Sequence, residues 1–113
     1  MNLKRKRKMA KSYKITELGV SDLKEIWEHI AELNYDAANQ TINKLSQKFD
    51  LLAENPQLGK SQDNYVINLR SFPYKKYVIF YFPIEDGVEI YRVFHGARNI
   101  KDLFETFFEG LKP

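Results

Sequence analysis

Apolar residues recur along this chain with two different periods, which predict a short strand followed by two helices. Tyr13 to Glu17 alternates apolar and polar positions with the two-residue period of a β-strand. After Gly19, with Ser21 and Asp22 as predicted caps, apolar residues recur every three or four positions, the period of an amphipathic helix. These positions are Val20, Leu23, Ile26, Trp27, Ile30 and Leu33. A second helix of the same kind is predicted over 36–53, and the short connection makes the pair an antiparallel hairpin.

The second half of the chain reads mainly as strands. Asn55-Pro56 ends the second helix, and a polar loop is predicted through residue 64. Strands are predicted at 65–70, 77–82 and 88–94, with Glu85-Asp86-Gly87 as a hairpin turn. Every residue of 77–82 is β-branched or aromatic, which favours a central strand. A last helix is predicted after Asn99, its cap, and ends near Gly110. Its apolar stripe consists of Ile100, Leu103, Phe104, Phe107 and Leu111.

This order of elements predicts an α+β fold with two layers. The N-terminal strand precedes an α-helical hairpin that packs on a small antiparallel sheet, and a short C-terminal helix follows. A chain of 113 residues has the size of one domain. We therefore expect a basic, flexible leader at 1–12 and a single domain at 13–113.

The positive charge of the chain is concentrated at its beginning. The formal net charge is +3, yet the first 14 residues hold seven lysines and arginines and no acid. From Ile15 onward 11 basic residues face 15 acidic ones, so the predicted domain is negative by about 4 charges. The leader either contacts DNA or another acidic partner, or is merely solvated. Met9-Ala10 resembles an ordinary start, and mass spectrometry of the N-terminus would test initiation there.

Composition excludes several classes of protein. The chain has no cysteine, which removes disulfides, thiolate nucleophiles and cysteine-ligated zinc. Its two histidines are far apart in sequence and it has no glycine-rich phosphate loop, so we expect neither a metal nor a cofactor. No apolar run approaches the roughly 20 residues of a membrane span. The sequence predicts a soluble, cytoplasmic protein.

The densest candidate chemistry lies between residues 70 and 102, where cations and aromatics interleave. Such a surface suits phosphates and stacked rings. Alternatively, Arg70 and Arg92 tie the sheet together through carboxylates such as Glu17, Glu89 or Asp102. His95 is either a general acid or base, or the residue that ends its strand before Gly96. The residues alone leave these alternatives open.

Two segments of this region resemble a known family. Leu69 to Tyr81 reads Leu-Arg-Ser-Phe-Pro-Tyr-Lys-Lys-Tyr-Val-Ile-Phe-Tyr, and Val88 to Ile100 reads Val-Glu-Ile-Tyr-Arg-Val-Phe-His-Gly-Ala-Arg-Asn-Ile. Both are similar to the ParE branch of the RelE/ParE toxins of type II toxin-antitoxin modules. Earlier positions agree: Tyr13-Lys-Ile-Thr, Asp22-Leu23-x-x-Ile26, Ala37-Ala38 and Leu52-Ala-x-x-Pro56-x-x-Gly59. The resemblance covers about 13–104.

The resemblance implies a bacterial toxin that arrests growth and is neutralised by a cognate, ParD-like antitoxin in a hetero-oligomer. ParE-type members trap DNA gyrase on cleaved DNA, whereas RelE-type members cut messenger RNA in the ribosome without a metal. The nuclease branch usually has a Tyr or His close to the C-terminus, and the segment from Leu103 to Leu111 has neither. We therefore expect a gyrase inhibitor with no covalent chemistry of its own. The alternatives are a RelE-like mRNA interferase and an inactive regulatory binding module.

The resemblance and the residue types together nominate the site residues. Those expected to bind the target are Arg70, Tyr74, Lys75, Arg92, His95 and Arg98. If the protein is a nuclease, the catalytic candidates are Arg70, Arg92, His95 and Arg98. The residues expected to bind the antitoxin are Trp27, Ile30, Phe49, Phe104, Phe107 and Phe108.

Overall fold

The computed structural model describes residues 11–96 together with Asp102 and Glu105. The elements are β1 (Ser12–Ile15), α1 (Glu17–Ala31), α2 (Tyr35–Glu54), β2 (Lys60–Ser61), β3 (Arg70–Tyr74), β4 (Tyr77–Ile84) and β5 (Gly87–His95). A helical hairpin packs on one face of a five-stranded sheet, which confirms the predicted α+β class.

Helix α1 begins at Glu17, ahead of its predicted caps. Thr16 is the cap instead, and its hydroxyl accepts a hydrogen bond from the Gly19 amide at 3.0 Å. Gly19 lies inside the first turn, where an added Cβ would come within 2.8 Å of the Ile15 side chain. The glycine therefore allows close packing of the helix start against β1.

Helix α2 matches its prediction to within one residue at each end. It spans Tyr35–Glu54, and the side chain of Asn34 caps it by accepting from the Ala37 amide at 2.9 Å.

Two residues of the predicted apolar face of α1 are exposed instead: Val20 at 53% and Leu33 at 93%. Leu33 lies in the connection between the helices, where no element covers it among the described residues.

The sheet has the order β1-β5-β4-β3-β2, so β4 is central, as predicted. β4 and β5 pair antiparallel across the predicted turn. β1 pairs parallel with β5, Ser12 opposite Gly87, so the sheet is mixed rather than wholly antiparallel. Short turns force antiparallel neighbours, whereas β1 reaches β5 only through long-range pairing, and either direction is then possible.

The prediction of a strand at 65–70 is wrong, because this segment is a loop that folds back on itself. The Gln62 amide donates to the Leu69 carbonyl at 2.8 Å, and Asn68 adopts a left-handed φ of 71°. Val66 and Leu69 are buried against Phe80 on the sheet face opposite the helices. The apolar residues that indicated a strand are buried because they pack in this second cluster. Strand β3 begins only at Arg70.

The main core lies between the helices and the sheet. Its buried members are Ile26, Leu45, Phe49, Leu52, Ala53, Tyr77, Ile79, Tyr81, Val88, Ile90 and Val93. The predicted C-terminal helix falls outside the described residues except for Asp102 and Glu105, which are helical and exposed. Within the described part of the chain, no helix has the length and apolarity to span a bilayer.

Candidate functional site

The start of α1 is tied to β5 beyond the point where β1 ends. Thr16 donates its hydroxyl to the Tyr91 carbonyl at 2.8 Å, and the carboxylate of Asp22 accepts from the Val93 amide at 3.0 Å. These two side chains occupy edge groups of β5 that none of the described strands covers. The helix is thereby held against the last third of β5, which sets the position of the site.

Asp22 also forms a two-pronged ion pair with Arg92. The Nε and Nη2 atoms of Arg92 donate to the two carboxylate oxygens at 2.8 and 2.9 Å. Both side chains are largely buried, at 13% and 10% exposure, and the Asp22 hydrogen bond raises the pKa of Arg92 further above its usual value. Of the predicted roles of Arg92, the structural one is confirmed, but its partner is Asp22 rather than Glu17, Glu89 or Asp102.

A bulge in the sheet orients this pair. Tyr81 and Phe80 of β4 lie opposite Ile90 and Arg92 of β5, which leaves Tyr91 as an extra residue. The extra residue shifts the alternation of β5, and the Arg92 guanidinium lies 4.7 Å from the centre of the Phe94 ring while it faces α1. Bulges of this kind re-aim side chains next to functional sites.

A cleft of about 600 Å³ lies between α1 and the end of the sheet where β4 starts and β5 stops. Its apolar lining is Ile26, Ile30, Tyr77, Val93 and Phe94, and its polar lining is Asp22, Glu25, His29, Lys76, Arg92 and His95. The fold therefore brings together the two histidines, which are distant in sequence. An apolar cleft with a few convergent polar groups is the usual form of a binding site.

His95 is the last residue of β5, as one of its two predicted roles required. Its ring packs edge-on against Tyr77, with 5.4 Å between ring centres. Gly96 follows with a φ of 93° and donates its amide to the Lys76 carbonyl at 2.7 Å. The imidazole is exposed on the rim of the cleft, so it remains accessible to a partner.

Arg70 does not line the cleft. Its Nε donates to the Gly59 carbonyl at 2.8 Å and its Nη2 to the Gln57 carbonyl at 3.1 Å. The Tyr81 hydroxyl accepts from the Gly59 amide at 2.8 Å and donates to the Pro56 carbonyl at 2.7 Å. Arg70 and Tyr81 together hold the loop between α2 and β2, which accounts for the residue type at position 70 without a ligand.

The two buried tyrosines predict how stability changes in alkali. Burial raises the pKa of Tyr77, and burial is also the main cause that raises the pKa of Tyr81, opposed by the hydrogen bond from Gly59 and by Arg70. A tyrosine in the unfolded chain ionises at about pH 10. Above that pH the unfolded chain releases protons that the folded chain retains, so stability falls as pH rises.

We expect the melting temperature to fall above about pH 10, and to fall less steeply in the double variant Tyr77→Phe/Tyr81→Phe. The comparison uses slopes, because the lost hydroxyls also change the stability at neutral pH. Tyr35→Phe is the control, since Tyr35 is 64% exposed. Identical slopes in the wild type and the double variant would contradict the prediction.

The two-residue turn between β3 and β4 places Lys75 in a strained conformation. Tyr74 pairs with Tyr77, and Lys75 has a φ of 54°, in the left-handed region that favours glycine or asparagine. The ammonium groups of Lys48 and Lys75 lie 5.2 and 5.9 Å from the centre of the Tyr74 ring. The structure thus places Tyr74 and Lys75, both predicted to bind the target, beside a lysine of α2.

Lys75→Gly is expected to stabilise the protein by about 0.5 to 1 kcal/mol, because glycine adopts a left-handed φ without steric cost. Urea denaturation measures the change. Lys76→Gly is the matched control: Lys76 is absent from the positive-φ residues, so glycine there should destabilise. Destabilisation by both variants would show that Lys75 is not strained.

The residues predicted to bind the antitoxin differ in their exposure. Trp27 and Ile30 are partly exposed on α1; the Trp27 indole donates to Asn39 at 2.8 Å. The prediction for Phe49 is wrong, because Phe49 is 1% exposed and packs edge-on against Tyr13 in the core. The remaining predicted site residues lie outside the described part of the chain: Arg98, Phe104, Phe107 and Phe108.

Sequence reasoning missed Asp22 as the partner of Arg92, and it missed Glu25 and Lys48 altogether. A signal for Asp22 existed: it falls four residues before Ile26, on the buried face of α1, where an unpaired acid would be costly. Lys48 had no such signal, because only the fold brings α2 beside Tyr74. Among the described residues, no group of three or more potential ligands could hold a metal ion.

Comparison with known proteins decides the family. The model of the family described as "ParE toxin of type II toxin-antitoxin system, parDE" matches residues 13–100. The chain belongs to the ParE toxin family. The ParE resemblance of the sequence is confirmed, and the matched range includes the cleft, the Asp22–Arg92 pair and the turn at Lys75 and Lys76.

The ParE fold is also found in a solved structure. A chain of the chromosomal ParDE toxin-antitoxin system from P. aeruginosa superimposes with a TM-score of 0.66. The match covers 79% of this chain and 99% of the other, at 16% sequence identity, and therefore establishes a shared fold. No match was found among curated proteins.

Proposed function

We propose that this ParE-family toxin inhibits DNA gyrase by trapping it on cleaved DNA, arrests growth and is neutralised by a cognate antitoxin. The observation that supports the proposal best is the family match over residues 13–100. The similar fold in a ParDE system is consistent with a ParD-like antitoxin as partner. In this mechanism the toxin does no covalent chemistry of its own and inhibits gyrase only by binding to it.

The geometry of the described arginines favours inhibition by binding over RNA cleavage. Arg92 is engaged by Asp22, and Arg70 is engaged by loop carbonyls outside the cleft. A nuclease would need these cations to converge on one phosphate with His95. Their separate structural roles support a protein that binds its target rather than one that cleaves a message.

We assign the target-facing surface to the end of the sheet formed by Tyr74, Lys75, Lys76 and His95. The antitoxin is assigned to α1, where Trp27 and Ile30 offer partly exposed apolar surface beside the cleft. An amphipathic helix or an extended segment of the antitoxin suits such a groove. Neutralisation then follows from occupation of the cleft next to the target-facing end.

A plasmid cleavage assay tests the function. Purified toxin, gyrase, ATP and supercoiled plasmid are incubated, and the reaction is stopped with detergent and protease. We expect linear plasmid only when gyrase and toxin are both present, and its loss when the co-encoded antitoxin is added. Defined cuts in a message on programmed ribosomes, with no linear plasmid, would overturn the proposal in favour of the interferase. Tight antitoxin binding without a growth defect on induction would instead indicate a regulatory binding module.

Trp27 offers a direct test of the antitoxin surface, because it is the single tryptophan of the chain. Its fluorescence is expected to shift to the blue when a tryptophan-free antitoxin covers α1. Trp27→Phe supplies the blank for the titration. A complex that forms with no change in the emission of Trp27 would place the antitoxin elsewhere.

A further inference from the structure

We propose that Lys48, Lys75 and Lys76 form a contact surface for the phosphate backbone of DNA. The inference rests on the proposed function and extends it, because it names DNA rather than the gyrase protein as what this end of the toxin touches. We call these three residues the lysine turn; the name includes Lys48 of α2 because it flanks the same tyrosine ring.

Within the described part of the chain, none of the three lysines of the lysine turn forms an ion pair with a carboxylate. Asp22 and Glu25 line the same cleft as Lys76, and the carboxylate of Asp22 is bound by Arg92. Lys48 and Lys75 approach the same ring, Tyr74, at 5.2 and 5.9 Å from its centre. Two ammonium groups held near one ring repel each other, and a phosphate between them would relieve the repulsion.

The lysines are held on regular structure rather than on a long loop. Lys48 belongs to α2, and Lys75 and Lys76 form the tight turn that joins β3 to β4. Cation–π contact with Tyr74 orients the ammonium groups of Lys48 and Lys75, whereas at Lys76 it is the backbone that is held, because its carbonyl accepts from the Gly96 amide at 2.7 Å. Cations oriented like those of Lys48 and Lys75 lose less freedom when they bind a phosphate.

The strain at Lys75 points to selection for its charge. A lysine at a φ of 54° is uncommon, and glycine or asparagine would fit the turn better. Sparsely populated backbone conformations cluster at functional sites, where the side chain is needed in spite of its cost. The charge of Lys75 supplies such a need if it contacts a phosphate.

DNA is the polyanion that the proposed function places beside the toxin. A toxin that stabilises gyrase on cleaved DNA lies at a protein–DNA junction, where backbone phosphates are the densest negative charge. The folded part of the chain is negative overall, which disfavours a nucleic-acid surface spread over the whole body. A small local patch of three lysines is compatible with that negative body.

The test compares two full-length triple variants that remove equal charge. The first is Lys48→Gln/Lys75→Asn/Lys76→Gln, with asparagine at position 75 because it tolerates a left-handed φ. The control is Lys14→Gln/Lys24→Gln/Lys60→Gln, three exposed lysines on other parts of the surface. Both variants keep the basic leader, so its contribution to binding is common to all three proteins. Thermal melts check that each variant is folded.

Affinity for a fluorescent DNA duplex of about 20 base pairs is measured by anisotropy between about 50 and 200 mM salt. Relative to wild type, the lysine-turn variant is expected to bind at least about tenfold more weakly at the lowest salt. Its slope of log K against log salt should be shallower by about 2 to 3, roughly one per lost phosphate contact. The control should change affinity by less than about threefold.

Three results would overturn the inference. Equal losses in both variants would show that only net charge matters. A loss confined to single-stranded RNA of the same length would assign the lysines to RNA, and unchanged DNA binding with weaker binding to isolated gyrase would assign them to the protein. The plasmid assay separates this inference from the proposed function: wild-type toxin that yields no linear plasmid refutes gyrase trapping, whatever the DNA affinities are.

Discussion

Asp22→Ala is expected to lower the free energy of unfolding by about 3 to 5 kcal/mol. The change removes the carboxylate that binds the largely buried guanidinium of Arg92 and that accepts from the Val93 amide. It also frees the start of α1 from the edge of β5, so the cleft should lose its shape. Urea denaturation monitored by circular dichroism measures the loss.

Two further variants sharpen this prediction. Asp22→Asn keeps an acceptor for the Val93 amide but removes the charge, so its loss should be smaller than that of Asp22→Ala. Glu28→Ala changes an exposed acid on the same helix and should cost no more than about 0.5 kcal/mol. A loss below about 1 kcal/mol for Asp22→Ala would mean that the pair is solvated in solution.

Phe49→Ala is expected to cost about 3 to 5 kcal/mol, because it empties a site that is 1% exposed between α2 and the sheet. The edge-on contact with Tyr13, at 5.3 Å between ring centres, is lost as well. Leu51→Ala, on the same helix and 38% exposed, is the control and should cost clearly less.

The same variant tests the corrected role of Phe49. If Phe49 only supports the core, antitoxin affinity measured well below the melting temperature should stay near the wild-type value. A variant that remains stable but binds the antitoxin poorly would return Phe49 to the binding surface. Trp27→Ala should show the reverse pattern, with weaker antitoxin binding and a smaller loss of stability.

The charge distribution explains how a negative domain can present a basic site. The helical half, from Glu17 to Asp63, holds nine acids and four bases, and one of those bases, Lys48, faces the β3–β4 turn. The net charge of the domain therefore does not describe the local charge at the β3–β4 turn. The lysines at the end of the sheet form a local cluster, and the expected signature of the DNA contact proposed for them is the salt dependence described above.

Much of the fold could be predicted because its signals are local. The α2 helix, the central strand β4 and the Glu85-Asp86-Gly87 turn each follow from a run of neighbouring residues whose periodicity or turn chemistry is unambiguous. The start of α1 was missed because Gly19 looks like a breaker in sequence. Its actual reason is the close approach of Ile15, which no local pattern contains.

The site was less predictable, because it depends on residues that meet only in the folded chain. Arg92 and His95 could be nominated from their own segment. Their neighbours could not: Asp22 and His29 come from α1, and the path of α1 across the end of β5 is set by Thr16 and Asp22 binding edge groups of that strand. The apolar run at 65–70 was predicted as a strand for the same reason. Apolar residues are favoured equally in a buried loop and in a buried strand, so the sequence pattern does not distinguish the two.

The sequence by itself determined the elements, the α+β class and the ParE resemblance, because periodicity, capping and motif order are properties of neighbouring residues. Only the tertiary structure decided which charges are structural and which cluster at the end of the sheet. Asp22 neutralises Arg92, loop carbonyls engage Arg70, and Lys48 joins Lys75 at one ring. Pairing of charges depends on distance in space, and that distance is set by packing between segments remote in sequence.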